Sequence, residues 1–203
     1  MSPLDFLAVV LPSSGHGHYC VAELTTKRKQ HIFKESLADL SNTVDRLIER
    51  KLDTYMALAT FADPAEGRKA ANAAYVQSLF IDIDCNHKLD IPDAEGKIKP
   101  KAYPSSKAAV QALAAFLDAS GLGALGQPWL LSSGGGVHAY WPLTEPVAIE
   151  DWRPIAENFK SLCVQHNLGI DPTVTADPAR VMRMPGSTNT GVKGVKQVRG
   201  ATR

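Results

Sequence analysis

Ser78-Leu79-Phe80-Ile81-Asp82-Ile83-Asp84 is an apolar run that ends in two acids one residue apart. Side chains of a β-strand alternate between its faces. Asp82 and Asp84 therefore share one face, while Ile81 and Ile83 enter a core on the other. Two carboxylates so placed sit about 7 Å apart and, at an effective dielectric near ~20, repel by about 2 kcal/mol. A divalent cation between them removes that cost. Hard carboxylate oxygens, few in number and with room left for substrate, suit Mg²⁺ or Mn²⁺ when the ion also binds phosphate. The pair has an ordinary alternative, a strand end whose acids reach solvent or cap a turn, and Asp-x-Asp occurs in glycosyltransferases and phosphatases too. Its meaning depends on what the chain brings beside it.

The second informative stretch is Leu130-Leu131-Ser132-Ser133-Gly134-Gly135-Gly136-Val137-His138-Ala139-Tyr140-Trp141. Strands read over Trp129–Ser132 and 137–141 are joined through three glycines. Ordering glycine is entropically costly, so three in a row mean that the backbone approaches something closely. Amides of Gly134, Gly135 and Gly136, with the hydroxyls of Ser132 and Ser133, can cradle phosphate oxygens. His138 and Tyr140 share a strand face, and His138 can donate a hydrogen bond to a phosphate or carry charge near a leaving group. A glycine-rich hairpin turn with a packed histidine is the plainer reading. No Gly-Lys-Ser/Thr follows, so this is not a Walker A loop.

A third acid comes from Gly169-Ile170-Asp171-Pro172 or from Asp177-Pro178-Ala179-Arg180-Val181-Met182-Arg183-Met184-Pro185-Gly186-Ser187-Thr188-Asn189. Asp171 is the choice, and Asp177 stays open as the alternative ligand, since Asp-Pro also begins turns. Arg180 and Arg183 can reach triphosphate or template phosphates through a planar guanidinium, or form ordinary salt bridges.

Around these segments the element order predicts an α+β fold. Strands read over 6–11 and 19–24. A helix follows from Ser36 with Leu37, Leu40, Val44, Leu47 and Ile48 on one face, then a strand over 54–61 and a short helix near 68–74. A strand over 76–84 leads into a long polar loop, 86–104, and a helix capped by Ser105 or Ser106 with Val110, Leu113 and Leu117 in one stripe. After the glycine hairpin a helix from about Asp151 carries Trp152, Ile155, Phe159, Leu162 and Cys163 on one face, and strands end the chain near 173–175 and 181–184. From residue 76 the order strand, helix, strand, strand, helix, strand is the split βαβ arrangement of ferredoxin-like and RRM-like folds. In that topology the first and third strands are central neighbours and the fourth borders the first. Asp82, Asp84, His138 and Asp171 then face one surface. The expected organisation is one domain over residues 1–203. It comprises an N-terminal α/β lobe (1–75), an RRM-like catalytic lobe (76–190) and a basic end (191–203), from which the chain is expected to continue into a longer protein.

With 44% hydrophobic and 21% charged residues, the chain can bury a sizeable core. No apolar run approaches the roughly 20 residues that span a bilayer, so no membrane partner is expected. Three cysteines without CxxC spacing argue against a disulfide framework and for a reducing cytoplasm. A net charge of +1 does not advertise nucleic acid, but after Asp177 no acid follows Arg180, Arg183, Lys193, Lys196, Arg199 and Arg203.

Phe80-Ile-Asp-Ile-Asp84, Ser132-Ser-Gly-Gly-Gly-Val-His138 with Tyr140-Trp141, and Arg180-Val-Met-Arg-Met-Pro-Gly-Ser-Thr-Asn189 together resemble the archaeo-eukaryotic primase superfamily. The resemblance is to primase-polymerase domains of phages and mobile elements in particular, and it spans roughly residues 76–190. It implies a DNA primase and DNA-directed polymerase, a nucleotidyltransferase that adds NTP or dNTP against a single-stranded DNA template and releases pyrophosphate during replication. It implies that Asp82 and Asp84 bind two Mg²⁺ or Mn²⁺ ions, that a later acid, carried here to Asp171, completes the site, and that His138 contacts the nucleotide's phosphates. A helicase domain or partner beyond this segment is an expectation by analogy. Some relatives carry a zinc module, but without a CxxC pair no zinc is expected here, and His16-Gly-His-Tyr-Cys20 reads as a loop. Two other classes remain in view. One is a metal-dependent Asp-x-Asp glycosyltransferase. The other is a non-catalytic RRM-like module that stacks bases on Tyr140.

Overall fold

The computed structural model describes residues 2–25, 29–85, 103–189, 196–197 and 199–202, with Leu125 and everything after residue 189 described by backbone alone. The expected loop 86–104 lies outside the described residues up to 102, as do the side chains of Lys193, Lys196, Arg199 and Arg203.

The chain begins with a helix, α1 (Pro3–Val10), where the apolar run 6–11 predicted a strand. The reason is local. Ser2 and Asp5 form a capping box, with Asp5 N donating to Ser2 Oγ (3.1 Å) and Ser2 N donating to Asp5 Oδ2 (3.0 Å), and Pro3 is pre-shaped for the first turn. Phe6, Leu7 and Val10 are buried at helical spacing. Next come β1 (Tyr19–Glu23) and β2 (Gln30–Lys34), an edge strand that the hydrophobic pattern did not announce. The amphipathic helix α2 (Leu37–Glu49) follows, capped by Ser36 and burying Leu40, Val44 and Leu47.

The segment read as one strand over 54–61 is two, β3 (Thr54–Ala57) and β4 (Ala59–Phe61), which belong to different sheets. The chain crosses at Leu58, whose N–H donates to Arg180 O (3.4 Å). Nearly every residue of the stretch is buried, so its apolar pattern has no period to mark the break. Short 3₁₀ turns form over Pro64–Glu66 and Ala70–Asn72, the second standing where a short helix was expected near 68–74.

The long central strand β5 (Ala73–Asp84) carries the paired acids. It leads to α3 (Ser106–Ser120), with Ser105 Oγ accepting from Ala108 N (3.2 Å), then β6 (Trp129–Ser132), β7 (Gly136–Ala148) and α4 (Ile149–Gln165). On α4 the buried stripe is Trp152, Ala156, Phe159 and Cys163, while Ile155, expected on that face, is 48% exposed. The chain closes with β8 (Val181–Arg183), β9 (Thr188–Asn189), β10 (Lys196–Gln197) and β11 (Arg199–Thr202). Residues 173–175, expected as a strand, are turns.

Two antiparallel sheets organise the fold. The larger has the order β11-β6-β7-β5-β4 and the smaller β2-β1-β3-β8, while β9 pairs with β10. The split βαβ arrangement is present, with β5 and β7 adjacent at the centre. The place expected for a fourth strand after α4 is filled by β4, and β8 joins the smaller sheet instead. Each sheet thus borrows a strand from the other half of the sequence. On one face of the larger sheet Ile81, Ile83, Val137, Ala139 and Trp141 pack against Leu113, Phe116 and Leu117 of α3 and Phe159 and Cys163 of α4. A second core joins Phe6, Leu7 and Val10 of α1 to Phe80, Tyr140, Val21 and Met56, and so to both sheets. Among the described residues no helix is long and apolar enough to cross a membrane.

Gly136 shows why these two strands can lie so close. A Cβ at this position would collide with the Ile83 carbonyl oxygen of β5. Gly136→Ala is therefore expected to lose about 2 kcal/mol or more, lowering the thermal midpoint by roughly 5 °C. Gly123→Ala, whose Cβ would meet nothing nearer than Leu117 O at 3.6 Å, should stay within about 1 kcal/mol of the parent. Denaturant titration of both variants checks this.

Candidate active site

Antiparallel pairing sets Asp82 opposite His138, Asp84 opposite Gly136 and Phe80 opposite Tyr140. Along this face the surroundings change from aromatic core to acid within four residues. Phe80 and Tyr140 are fully buried, Asp82 and His138 lie at the boundary, and Asp84 is exposed. His138 Nε2 is 3.6 Å from Asp82 Oδ1, and its Nδ1 lies 3.1 Å from the Tyr140 hydroxyl.

The third acid is brought in by backbone. Asp171 N donates to Asp82 O (2.9 Å), and two residues earlier Gly169 N donates to the Tyr103 hydroxyl (3.0 Å). The Asp171 carboxylate caps its own turn, its Oδ1 accepting from Thr173 N (2.9 Å) and Oγ1 (2.6 Å), while Oδ2 lies 3.9 Å from Arg180 Nη2. Asp177, the alternative ligand, also caps a turn, accepting from Ala179 N (2.9 Å). Only for Asp171 is a direct bond to Asp82 found among the described residues.

Burial pushes the Asp82 carboxyl up to about 6, against the neighbouring Arg180 and Arg183 charges that favour ionisation, with Asp171 adding to the rise. The same burial, with Arg183 and Arg180 adding to it, drives His138 down to about 3. His138 is therefore neutral at physiological pH. An uncharged imidazole is suited to the first of its two expected roles, hydrogen-bond donation.

Asp82, Asp84 and Asp171 offer hard oxygens, the donor chemistry of Mg²⁺ or Mn²⁺, and the raised Asp82 carboxyl marks a buried charge that a cation would stabilise. Still, among the described residues no three His, Cys, Asp or Glu side chains gather closely enough to enclose an ion. The Asp171 carboxylate is engaged instead by Arg180 and by its own turn.

The glycine segment is held from both sides. Gly134 adopts a left-handed conformation (φ +82), Ser133 N donates to Gly136 O (3.0 Å), and Cys85 N donates to Gly135 O (2.9 Å). The close approach expected of these glycines is, at Gly136, an approach to β5 itself. Ser133 is buried and Ser132 half-buried, and the Ser133 carbonyl accepts from Asn189 Nδ2 (2.9 Å). Asn189, the last residue of the third motif, thus ties that motif to the glycine segment.

The arginines are also engaged. Register across the smaller sheet sets His31, Ala22, Tyr55 and Arg183 in one row. Arg183 Cζ lies 4.6 Å over the Tyr55 ring, and its Nη1 is 3.6 Å from Asp53 Oδ1. Asp53 and Tyr55 were invisible as site residues in sequence, because their relation to Arg183 exists only through strand pairing.

The folded protein keeps the Asp82 proton up to about pH 6, whereas an unfolded chain releases it near 3.8, the ordinary aspartate value. Its contribution to stability therefore falls as pH rises between these values, and the cost at pH 7 and above is on the order of 3 kcal/mol. His138 acts in the opposite sense, losing stability as pH falls below its ordinary range. The difference between parent and variant isolates the acid. With EDTA present, Asp82→Asn should melt several degrees above the parent at pH 8, and the gap should close toward pH 4. Parallel melting curves across that range would mean that Asp82 is well solvated.

No protein-family profile and no curated protein matches the chain. Solved structures do. The chain is similar to the AEP domain of the primase-polymerase of cyanophage S-2L, at 20% identity and a TM-score of 0.58, covering 99% of this chain and 89% of that one. It is similar to primase RepB′, at 14% identity and a TM-score of 0.51, with 98% of this chain but 55% of RepB′ covered. It is also similar to the catalytic domain of RepB′ in complex with initiator DNA, at 16% identity and a TM-score of 0.50, covering 97% and 84%. At such identities the likeness is one of architecture: this chain has the fold of the archaeo-eukaryotic primase-polymerase domains.

Proposed function

We propose that this chain is a template-dependent DNA primase-polymerase that joins NTPs or dNTPs with release of pyrophosphate, in the replication of a phage or mobile element. The observation that carries the reading is the facing of Asp82 and His138 across the paired central strands, with Asp171 bonded to the Asp82 backbone. It is supported by the fold, shared with primases of which one is described in complex with initiator DNA. That fold also favours a polymerase over a glycosyltransferase.

Asp82 and Asp84, with Asp171 beside them, would hold Mg²⁺ or Mn²⁺, which when bound supplies Lewis-acid activation of the attacking hydroxyl and charge stabilisation at the leaving pyrophosphate. His138 offers a neutral N–H to a phosphate oxygen, a donor that does not compete with the acids for a cation. Arg180, about one-third exposed at its side chain, can move from Asp171 to the triphosphate, since a phosphate is a better bidentate partner than a carboxylate 3.9 Å away. Arg183, held over Tyr55, contributes a fixed positive potential at the same place. The backbone of Ser132, Ser133, Gly134, Gly135 and Gly136 forms the turn beside the acids and would line the phosphate site. A single-stranded DNA template, a helicase domain or partner beyond this segment, and a cytoplasmic setting complete the proposal.

Primer extension with and without EDTA tests it first, and activity indifferent to EDTA would refute the metal assignment. Asp82→Ala and Asp84→Ala should each lower extension by about 10²- to 10³-fold or more while DNA binding persists. Mn²⁺ should raise the melting temperature of the parent but not of Asp82→Asn. His138→Ala should raise KM for the nucleotide without weakening DNA binding; equal loss of both would make it a folding residue.

A further inference from the structure

Tyr140 is wholly buried, and its hydroxyl has one hydrogen-bond partner among the described residues, His138 Nδ1 at 3.1 Å. Its ring is fixed from behind by Phe6 of α1, edge to face at 5.5 Å between centroids. A phenol O–H is both donor and acceptor, and a neutral imidazole carries one proton on one of two nitrogens. If Nδ1 carried that proton, it would donate to the tyrosine oxygen and leave the buried phenolic proton with no acceptor. An orphaned buried donor is expensive. With the phenol donating and Nδ1 accepting, both groups are satisfied, and the imidazole proton must sit on Nε2, the nitrogen that faces Asp82.

We propose that Tyr140 is a positioning residue: its hydroxyl locks His138 in the Nε2–H tautomer, so that an N–H donor rather than a bare ring nitrogen is presented to the phosphates of the incoming nucleotide. The proposal rests on the nucleotidyl-transfer reading for its phosphate, but the tautomer itself does not. Phe6 of α1 packs edge to face on the tyrosine ring, while the hydrogen bond itself sets the tautomer. The helix that sequence patterning mistook for a strand thus supports a side chain in the candidate site.

The experiment uses the full chain with ¹⁵N-labelled histidine imidazoles at pH 7.5, His138 being assigned by its loss in His138→Asn. The parent is expected to show a protonated Nε2 and an unprotonated Nδ1 at His138. Tyr140→Phe, which keeps the ring and its contact with Phe6, should shift His138 toward a mixture of tautomers. It should also raise KM for the nucleoside triphosphate about 5- to 10-fold, with kcat within about 2-fold and melting temperature little changed. Phe6→Leu, which perturbs packing but keeps the hydroxyl, should retain the tautomer and so separates a packing effect from a hydrogen-bonding one. A parent protonated at Nδ1, or a Tyr140→Phe variant with unchanged tautomer and unchanged KM, overturns the proposal. If no protein extends primers while the spectra behave as described, the polymerase reading is what fails, and Tyr140 still orients His138.

Discussion

The register of β5 against β7 is the constraint on which the rest of the site depends. Side chains on paired strands face alternate sides, so a slip of one residue would carry Asp82 and Asp84 into the apolar face and expose Ile81 and Ile83. The register is held from both directions. On one face, Ile81, Ile83, Val137 and Ala139 are buried under α3 and α4. On the other, Phe80 and Tyr140 are buried against α1 and the smaller sheet. Gly136 permits the approach at the end of the ladder, where any side chain would strike the Ile83 carbonyl. Asp82 meets His138 because two cores, built from different helices, agree on the same alignment.

That alignment creates an electrostatic arrangement in which the groups keep one another uncharged or restrained. Burial raises the Asp82 carboxyl and lowers His138, so the two meet as an acid reluctant to ionise and a neutral imidazole. Arg180 and Arg183 oppose the first shift and reinforce the second. Their own positions are set from elsewhere, Arg180 by Asp171 and Arg183 by Asp53 and the Tyr55 ring. An anionic substrate and a divalent cation would each find complementary charge here, and each would make the other's binding easier.

The exchange of strands between the halves of the chain explains how distant residues serve one site. β4 comes from the first 75 residues yet edges the larger sheet, while β8 follows the last helix yet pairs with β3. Arg180 bonds through its carbonyl to Leu58, at the point where β3 hands over to β4. The smaller sheet is thereby tied to the segment that carries Asp171 and both arginines. Arg183, on the edge strand of that sheet, is consequently part of the same structure as the acids.

Periodicity and chemistry alone determined a good deal. An apolar strand ending in Asp82-x-Asp84, a glycine hairpin followed by His138, and three amphipathic helices led to the right fold class and to the right central strand pair. Those signals are local, since alternation and helical spacing are written in neighbouring residues. The Ser2–Asp5 capping box was present in the sequence as well, but reading residues 6–11 as a strand passed over it. Only the tertiary structure decided that β4 takes the expected place of a fourth strand and that Asp171 reaches Asp82 through its backbone. It alone set Arg183 against Asp53 and the Tyr55 ring, and the Tyr140 hydroxyl against His138 Nδ1. All but the last join residues far apart in the chain, and all act through hydrogen bonds and packing whose strength depends on distance and burial, quantities that no order of residues states until the chain has closed on itself.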